Sequence, residues 1–318
     1  MRILRHPAAL EAADRGAVVA IGNFDGVHLG HQLVIRRAGD IARAAGAPLA
    51  VLTFEPHPYH VFNPAAPPFR LTPLRAKSHL IEALGVDLLF VLHFDLALAQ
   101  VSAEDFVRDV IAGRTAASHV LVGYDFHFGH KRRGTPALLE AEGRKHGFAV
   151  TVMAPIEAAK GVVYSSTRIR RYLTEGRPRE AAVLLGRPFE IEGRVETGDK
   201  RGRTIGFPTA NIALADYLRP AGGVYVVRIA IEGEGTLAWR PGVANLGTRP
   251  TVGGTDLRLE AHLFDFDGEL YGKHLRVALI EHLRPERKFA GLDDLKAQIA
   301  ADAGQARAIL AAEPGPLG

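Results

Sequence analysis

The first half of the chain alternates short apolar runs with stretches of helical period. AVVAI (17–21), LAVLTF (49–54), LLFVLHF (88–94), HVLVG (119–123) and AVTVMA (149–154) are continuous rather than alternating, the pattern of parallel strands covered on both faces. Between them, 31–45, 76–84, 103–111 and 136–146 read as helices. Repeated strand–helix–strand units predict an α/β, Rossmann-like domain with a doubly wound parallel sheet and ligands at the carboxyl ends of its strands. A short helix is expected near 167–173, and 174–188, with its glycines, prolines and charges, reads as a bridge between domains.

From Phe189 the pattern changes. FEIEGRVE (189–196), GVYVVRIAI (223–231), RLEAHLF (258–264) and LRVALIE (275–281) are short alternating segments separated by glycine-rich turns, which predicts a small, closed or partly closed β-barrel. An amphipathic helix is expected over 292–310, followed by a frayed tail, EPGPLG. The division that follows is an N-terminal α/β domain, 1–183, and a C-terminal barrel domain with a terminal helix, 184–318. A chain of 318 residues is long enough for both to bury their own cores.

Composition narrows the chemistry. No run approaches the ~18 consecutive apolar residues of a membrane helix, and the opening MRILRHPAALEAADRG carries charges where a secretory signal would be apolar. The expectation is a cytoplasmic protein without a membrane partner. Zero cysteines exclude disulfides, thiolate nucleophiles, iron–sulfur clusters and the common sulfur-ligated zinc sites. Of 39 basic residues only 8 are lysine, which fits recognition of small phosphorylated ligands by arginine and equally fits a genome rich in G and C. The longest basic run, Lys131-Arg132-Arg133, is too short to argue for nucleic acid.

Two glycine-rich segments about 180 residues apart carry the functional signal. In the first, GNFDGVHLGH (22–31), an apolar strand leads into a turn whose glycines let a phosphate approach the backbone. His28 and His31 are three apart, so a helix starting there puts both imidazoles on one side, beside exposed helix-start amides that favour an anion. Such a cradle stabilises charge on an α-phosphate and leaving pyrophosphate without an enzyme nucleophile. In SSTRIR (165–170) hydroxyls and arginines open a helix; N-capping and anion binding share that geometry, and both readings stand. The pairs His57/His60 and His127/His130 raise a metal reading, but Pro58 breaks the first and no carboxylate cluster accompanies either.

The first motif, with TFEPHP (53–58), VGYDFHFG (122–129) with Gly134 beyond it, and SSTRIR, resembles the adenylyltransferase domain of the bacterial bifunctional riboflavin kinase/FMN adenylyltransferases, within the HxGH nucleotidyltransferases. The resemblance implies His28 and His31 as catalytic residues. It implies ATP contacts from Gly22, Asn23, Phe24, Asp25, Gly26, Ser166, Thr167 and Arg170, and a flavin or nucleotide loop with Asp125, Phe128 and Gly129. Tyr164, where a small aliphatic residue is common, and His127 depart from the family pattern.

The second segment, GRTIGFPTAN (202–211), lacks the lysine of a P-loop and the following helix of a dinucleotide fingerprint. Thr209 and Asn211 alternate along an extended stretch and so face one way; as neutral oxygen ligands they suit Mg²⁺ on nucleotide phosphates, while a polar turn after Pro208 is the plainer reading. The segment is similar to the riboflavin kinase signature, and the similarity continues through GVY (223–225), NLGTRPT (245–251), LEAHLFDFDGELYG (259–272) and RPERKF (284–289). It implies Gly202, Gly206, Thr209 and Asn211 at ATP, Mg²⁺ on Thr209 and Asn211, and Glu260 as the base for the ribityl hydroxyl. From the alternation alone, Arg258, Glu260 and His262 face away from the core, as a solvated ladder of charges also would. ATP is then a co-substrate, riboflavin and FMN the acceptors, and FMN and FAD the products. Another nucleotidyltransferase with an accessory barrel, or a barrel acting only as a binding module, are the rival readings; few aromatic and basic positions interleave on the barrel strands, which speaks against nucleic acid.

Overall fold

Residues 17–21 are apolar throughout because both sides of their strand are covered. In the computed structural model, which describes residues 1–5, 10–155, 157–158, 162–196, 207–233, 237–251 and 254–313, Val19 and Ile21 join Leu52, Phe90, Val120 and Val122 on one face of a sheet. Val18 and Ala20 join Val51, Leu89, Val91 and Leu121 on the other. The sheet is all parallel, six strands in the order β1-β4-β3-β2-β5-β6. They are β1 Arg2–Arg5, β2 Val18–Ile21, β3 Leu49–Glu55, β4 Leu88–His93, β5 His119–Gly123 and β6 Ala149–Met153. Helices α1 Leu29–Ala45 and α3 Leu74–Glu82 cover the second face through Ile35, Ala38, Ala42 and Ile81. The first face is covered by α4, Ala103–Asp105 running on as a π-helical stretch Phe106–Arg114, and by α5 Pro136–His146. A short helix, α2 Pro58–Phe62, follows β3.

The chain leaves β2 toward β3 and β4 on one side and adds β5 and β6 on the other. The segment that follows β2 therefore lies at the reversal of strand order, where open α/β sheets hold their ligands. This segment is GNFDGVHLGH.

By contacts the chain forms two compact units, Met1–Pro67 with Thr72–Tyr164, and Pro68–Leu71 with Ser165–Gly318. A two-stranded hairpin, β7 Glu157–Ala158 and β8 Val162–Val163, closes the first. In the second, six antiparallel strands close into a barrel in the order β10-β13-β12-β11-β14-β9: β9 Phe189–Glu196, β10 Ala210–Ala213, β11 Gly223–Ile231, β12 Trp239–Thr251, β13 Gly254–Leu263 and β14 His274–Arg284. Ile191, Ile212, Val227, Ile229, Leu246, Leu259, Leu275, Val277 and Leu279 are fully buried, with polar neighbours alternating between many of them, as the pleat requires. Arg70 pairs with this unit, lying alongside Tyr217 and accepting from the Leu218 N–H at 2.7 Å.

Helix α8, Leu292–Ala312, seals Val224, Val226, Val243, Phe264, Ala278 and Ile280 with its Ala303, Ala306 and Leu310. Arg284 clamps it, donating through Nε and Nη2 to both oxygens of the buried Asp302. The expected tail lies outside the described residues from Pro314 on. One reading needs correction: 174–188 is no open bridge. Residues Pro178–Leu185 form helix α7, with Pro178 in its first turn and Gly186 at φ 74° ending it, and α6, Ser166–Thr174, precedes it. Ala181, Leu184 and Leu185 are buried, so a proline and glycine taken for linker residues are the start and stop of a packed helix.

Candidate active sites

The first site is built on the loop between β2 and α1. Three residues of this loop have positive φ, Phe24 (48°), Gly26 (88°) and Val27 (41°), an arrangement that non-glycine residues adopt only when the surroundings compel it. Here hydrogen bonds from neighbouring elements supply that constraint. Lys77 Nζ donates to the Asn23 carbonyl at 2.8 Å and Thr53 Oγ1 donates to the same oxygen at 3.1 Å. Asp25 Oδ1 accepts from the Thr72 N–H at 2.9 Å, and Thr72 Oγ1 accepts from the Gly26 N–H at 2.8 Å. Asp25 is buried, and this carboxylate oxygen faces the loop's own support.

His28 is the N-cap of α1: its Nδ1 accepts from the His31 N–H at 3.2 Å. An accepting Nδ1 carries no proton, so the proton of the neutral ring is on Nε2. The two imidazoles are stacked, centroids 3.6 Å apart and planes 15° off parallel, and the Phe24 ring meets His31 edge-on at 5.3 Å. Gly30 lets the stack form, because a Cβ there would stand 3.0 Å from Tyr164 Cβ and 3.2 Å from His28 Cε1. Tyr164, the departure from the family pattern, thus packs directly over the HxGH glycine. Imidazoles beside a helix N-terminus are groups suited to donating to a polyanion.

The 125–134 loop is shaped by Phe128 and Gly134, which exchange backbone hydrogen bonds at 3.2 and 2.8 Å. Phe128 is buried between Phe126 and Phe106, whereas Asp125 is exposed. Gly129 at φ 68° is required, since a Cβ would come within 2.6 Å of Ala103 Cα. The paired histidines of the metal reading are engaged with backbone: His57 Nδ1 accepts from the Tyr59 N–H, and His127 and His130 contact the carbonyls of Asp125 and Ala99.

Within the second unit, α6 opens with Ser165 as N-cap and no side-chain cap hydrogen bond. The structure therefore does not use that residue's hydroxyl as a cap. Ser166 and Thr167 lie in this turn. Arg170 Nε donates to the Phe69 carbonyl at 2.9 Å, with its guanidinium 4.8 Å above the Phe69 ring.

On the barrel, register brings four polar residues into one row. Asn211 lies directly opposite Glu260 on one side and Glu196 on the other, and Glu260 is opposite Asn245. Directly opposed residues share a face, and it is the outer one, because their neighbours Ile212, Leu259 and Leu246 fill the interior. Arg258 donates to Glu196 at 2.9 Å, and Asn245 Nδ2 to Glu286 of RPERKF at 3.2 Å. Thr209 and Asn211 line a small cleft with Val195, Phe266, Leu270 and Tyr271. Hydroxyl, carboxamide and carboxylate oxygens are the hard donors that Mg²⁺ takes. Gly202 and Gly206 lie outside the described residues.

Sequence reasoning missed Lys77, Thr53, Thr72, Asn245 and Glu196. Each acts on a partner tens of residues away, and no local pattern marks such a pairing; the opposition of Asn245 to Glu260 needed β12, whose prolines and glycines hid a strand.

An α/β domain with HxGH at its switch point, followed by a barrel with a Thr-x-Asn/Glu row, defines a two-domain nucleotide-dependent transferase. Comparison with known proteins agrees. A family model for FAD synthetase matches residues 10–168 and one for riboflavin kinase matches 185–310. The bifunctional riboflavin kinase/FMN adenylyltransferase of Escherichia coli K12 is 43% identical over 93% of this chain and 94% of its own length. That of Bacillus subtilis is 40% identical over 95% and 96%. A solved structure described as a macrolide-efflux protein from Streptococcus pneumoniae superposes with a TM-score of 0.83 at 32% identity, covering 96% of this chain and 98% of that one. The chain belongs to the family of bifunctional riboflavin kinase/FMN adenylyltransferases. It is an enzyme of flavin cofactor synthesis that uses ATP to convert riboflavin to FMN and FMN to FAD. Among the described residues no helix is long and apolar enough to cross a membrane.

Proposed function

We propose that the two reactions run on separate sites, adenylyl transfer on the loop after β2 and phosphoryl transfer on the outer row of the barrel, with the functional boundary near 183/184. The observation that carries this reading is the pairing of a stacked, helix-capping His28/His31 couple in one unit with an Asn211–Glu260 opposition in the other.

In the first reaction the ribityl hydroxyl of riboflavin loses its proton to Glu260 as its oxygen attacks the γ-phosphorus of ATP, releasing ADP; one positioned carboxylate is sufficient for this chemistry. Thr209 and Asn211, with Gly202 and Gly206, hold the phosphates of Mg-ATP. Bound there, Mg²⁺ neutralises phosphate charge. In the second reaction a phosphate oxygen of FMN attacks the α-phosphorus of another ATP, and pyrophosphate leaves. The imidazoles of His28 and His31 stabilise the charge that develops. Gly22, Asn23, Phe24, Asp25 and Gly26 form the bed of that nucleotide, Ser166, Thr167 and Arg170 contact its phosphates, and Asp125, Phe128 and Gly129 shape the acceptor side. The enzyme works in the cytoplasm.

The test is chromatography of products after incubating the protein with riboflavin, ATP and Mg²⁺. The reading expects FMN and then FAD; unaltered riboflavin, or FMN that never proceeds to FAD, contradicts it.

A further inference from the structure

Lys77 is 1% exposed, and it sits on a helix whose sequence, LRAKSHLIE, gives it the look of a solvated charge. A lysine is buried only when its ammonium has work to do, because desolvating the charge is costly unless hydrogen bonds compensate. Here the ammonium donates at 2.8 Å to the Asn23 carbonyl and at 3.3 Å to Thr53 Oγ1, which itself donates to the same carbonyl. Thr53 is fully buried. One backbone oxygen in the middle of the nucleotide loop thus receives two hydrogen bonds from beneath.

The consequence follows from the planarity of the peptide. In a trans peptide the C=O and the next N–H point in opposite directions. Drawing the Asn23 carbonyl toward Lys77 and Thr53 turns the Phe24 N–H the other way, and none of the described residues accepts from that N–H. The same constraint holds Phe24 at φ 48°, a conformation the residue would leave without support. Two residues on, Gly26 is tied to Thr72, so the peptide between Asn23 and Phe24 is fixed from both sides.

We infer that Lys77, assisted by Thr53, is a positioning residue of the adenylyl transfer: it locks the Asn23–Phe24 peptide so that the Phe24 N–H is presented as a donor to a nucleotide phosphate. The inference rests on the assignment of adenylyl transfer to this loop. Lys77 touches no substrate; it acts through the loop.

The experiment compares Lys77→Met, which keeps the stem and removes the ammonium, Lys77→Arg, and Thr53→Val, which removes only the hydroxyl. FAD formation from supplied FMN is measured with FMN formation from riboflavin as the internal control. A lost oxyanion-type donor lowers kcat by about 10²–10³, so Lys77→Met is expected to lose on that order in kcat for FAD with FMN formation unchanged. Thr53→Val is expected to lose about tenfold, and Lys77→Arg to recover part of the loss. With ¹⁵N-phenylalanine labelling, the Phe24 amide should shift on adding α,β-methylene-ATP in the native protein and not in Lys77→Met. FAD formation within threefold of native in Lys77→Met, or a Phe24 amide that ignores the nucleotide in the native protein, overturns the inference. If Lys77→Met does not fold, Thr53→Val decides by the same two readouts. Native protein that makes no FAD would instead sink the site assignment itself, a distinguishable failure.

Discussion

Replacing His28 by alanine removes two contributions at once, and the structure lets them be separated. The first is the cap: Nδ1 accepts from the His31 N–H, and an N-cap side chain exchanged for alanine costs about 1 kcal/mol, within a range of about 0.5–2. For a domain of this size that lowers the melting temperature by about 2–4 °C. Against a total stability of about 5–15 kcal/mol, the protein stays more than about 99% folded, so loss of the cap alone leaves the rate nearly untouched. The second is the catalytic contribution proposed above. A donor aimed at developing phosphate charge is worth about 10²–10³ in kcat, or about 2.7–4 kcal/mol.

Asparagine discriminates between them, because its carboxamide oxygen caps as well as any residue but supplies no imidazole Nε2–H. His28→Ala should therefore melt lower and lose FAD formation, while His28→Asn should regain most of the melting temperature and none of the rate. Both should form FMN at the native rate. Calorimetry and chromatographic assay of FAD from FMN check this. Recovery of the FAD rate to within fivefold by asparagine would refute the catalytic role and leave His28 a cap.

Other expectations follow from the same geometry. Glu260→Gln keeps the position opposite Asn211 and Asn245 but cannot accept the proton; FMN formation should fall by about 10²–10⁴ while FAD forms normally from supplied FMN. Gly129→Ala combines a left-handed φ, costing about 1–2 kcal/mol, with backbone 2.6 Å from the new methyl, so the first unit should melt several degrees lower and lose FAD before FMN formation. His119, which contacts Thr151 Oγ1 at 2.8 Å, is held below the ordinary imidazole range by burial and then by Arg37. The unfolded chain takes up that proton first, so its contribution is intact above the unfolded value, near 6.5, and is lost as pH falls through the folded value. Between about pH 7.5 and about pH 5.5 the native protein should lose more thermal stability than His119→Gln; equal losses would contradict this.

The parallel sheet was legible because strands covered on both faces, such as 17–21 and 49–54, need apolar residues at every position. β11 and β14 were legible for a related reason. β10 is too short for a periodic signal, and β12, WRPGVANLGTRPT, carries two prolines and two glycines that read as turns; its pairing with β11 and β13 overrides that local preference. The histidines of the first motif and the Thr209/Asn211 alternation were readable because their geometry is set within a few residues. Lys77 was not, since its burial depends on Asn23 and Thr53, which the sheet and not the sequence brings beside it.

The independence of the two sites is tested most directly by mixing. His28→Asn and Glu260→Gln, each alone with riboflavin, ATP and Mg²⁺, should stop short: the first at FMN, the second at riboflavin. Combined in one vessel they should deliver FAD, the Glu260-bearing protein supplying FMN and the His28-bearing protein consuming it. A mixture that yields no FAD, although each folded variant retains its other half-reaction, would contradict the account.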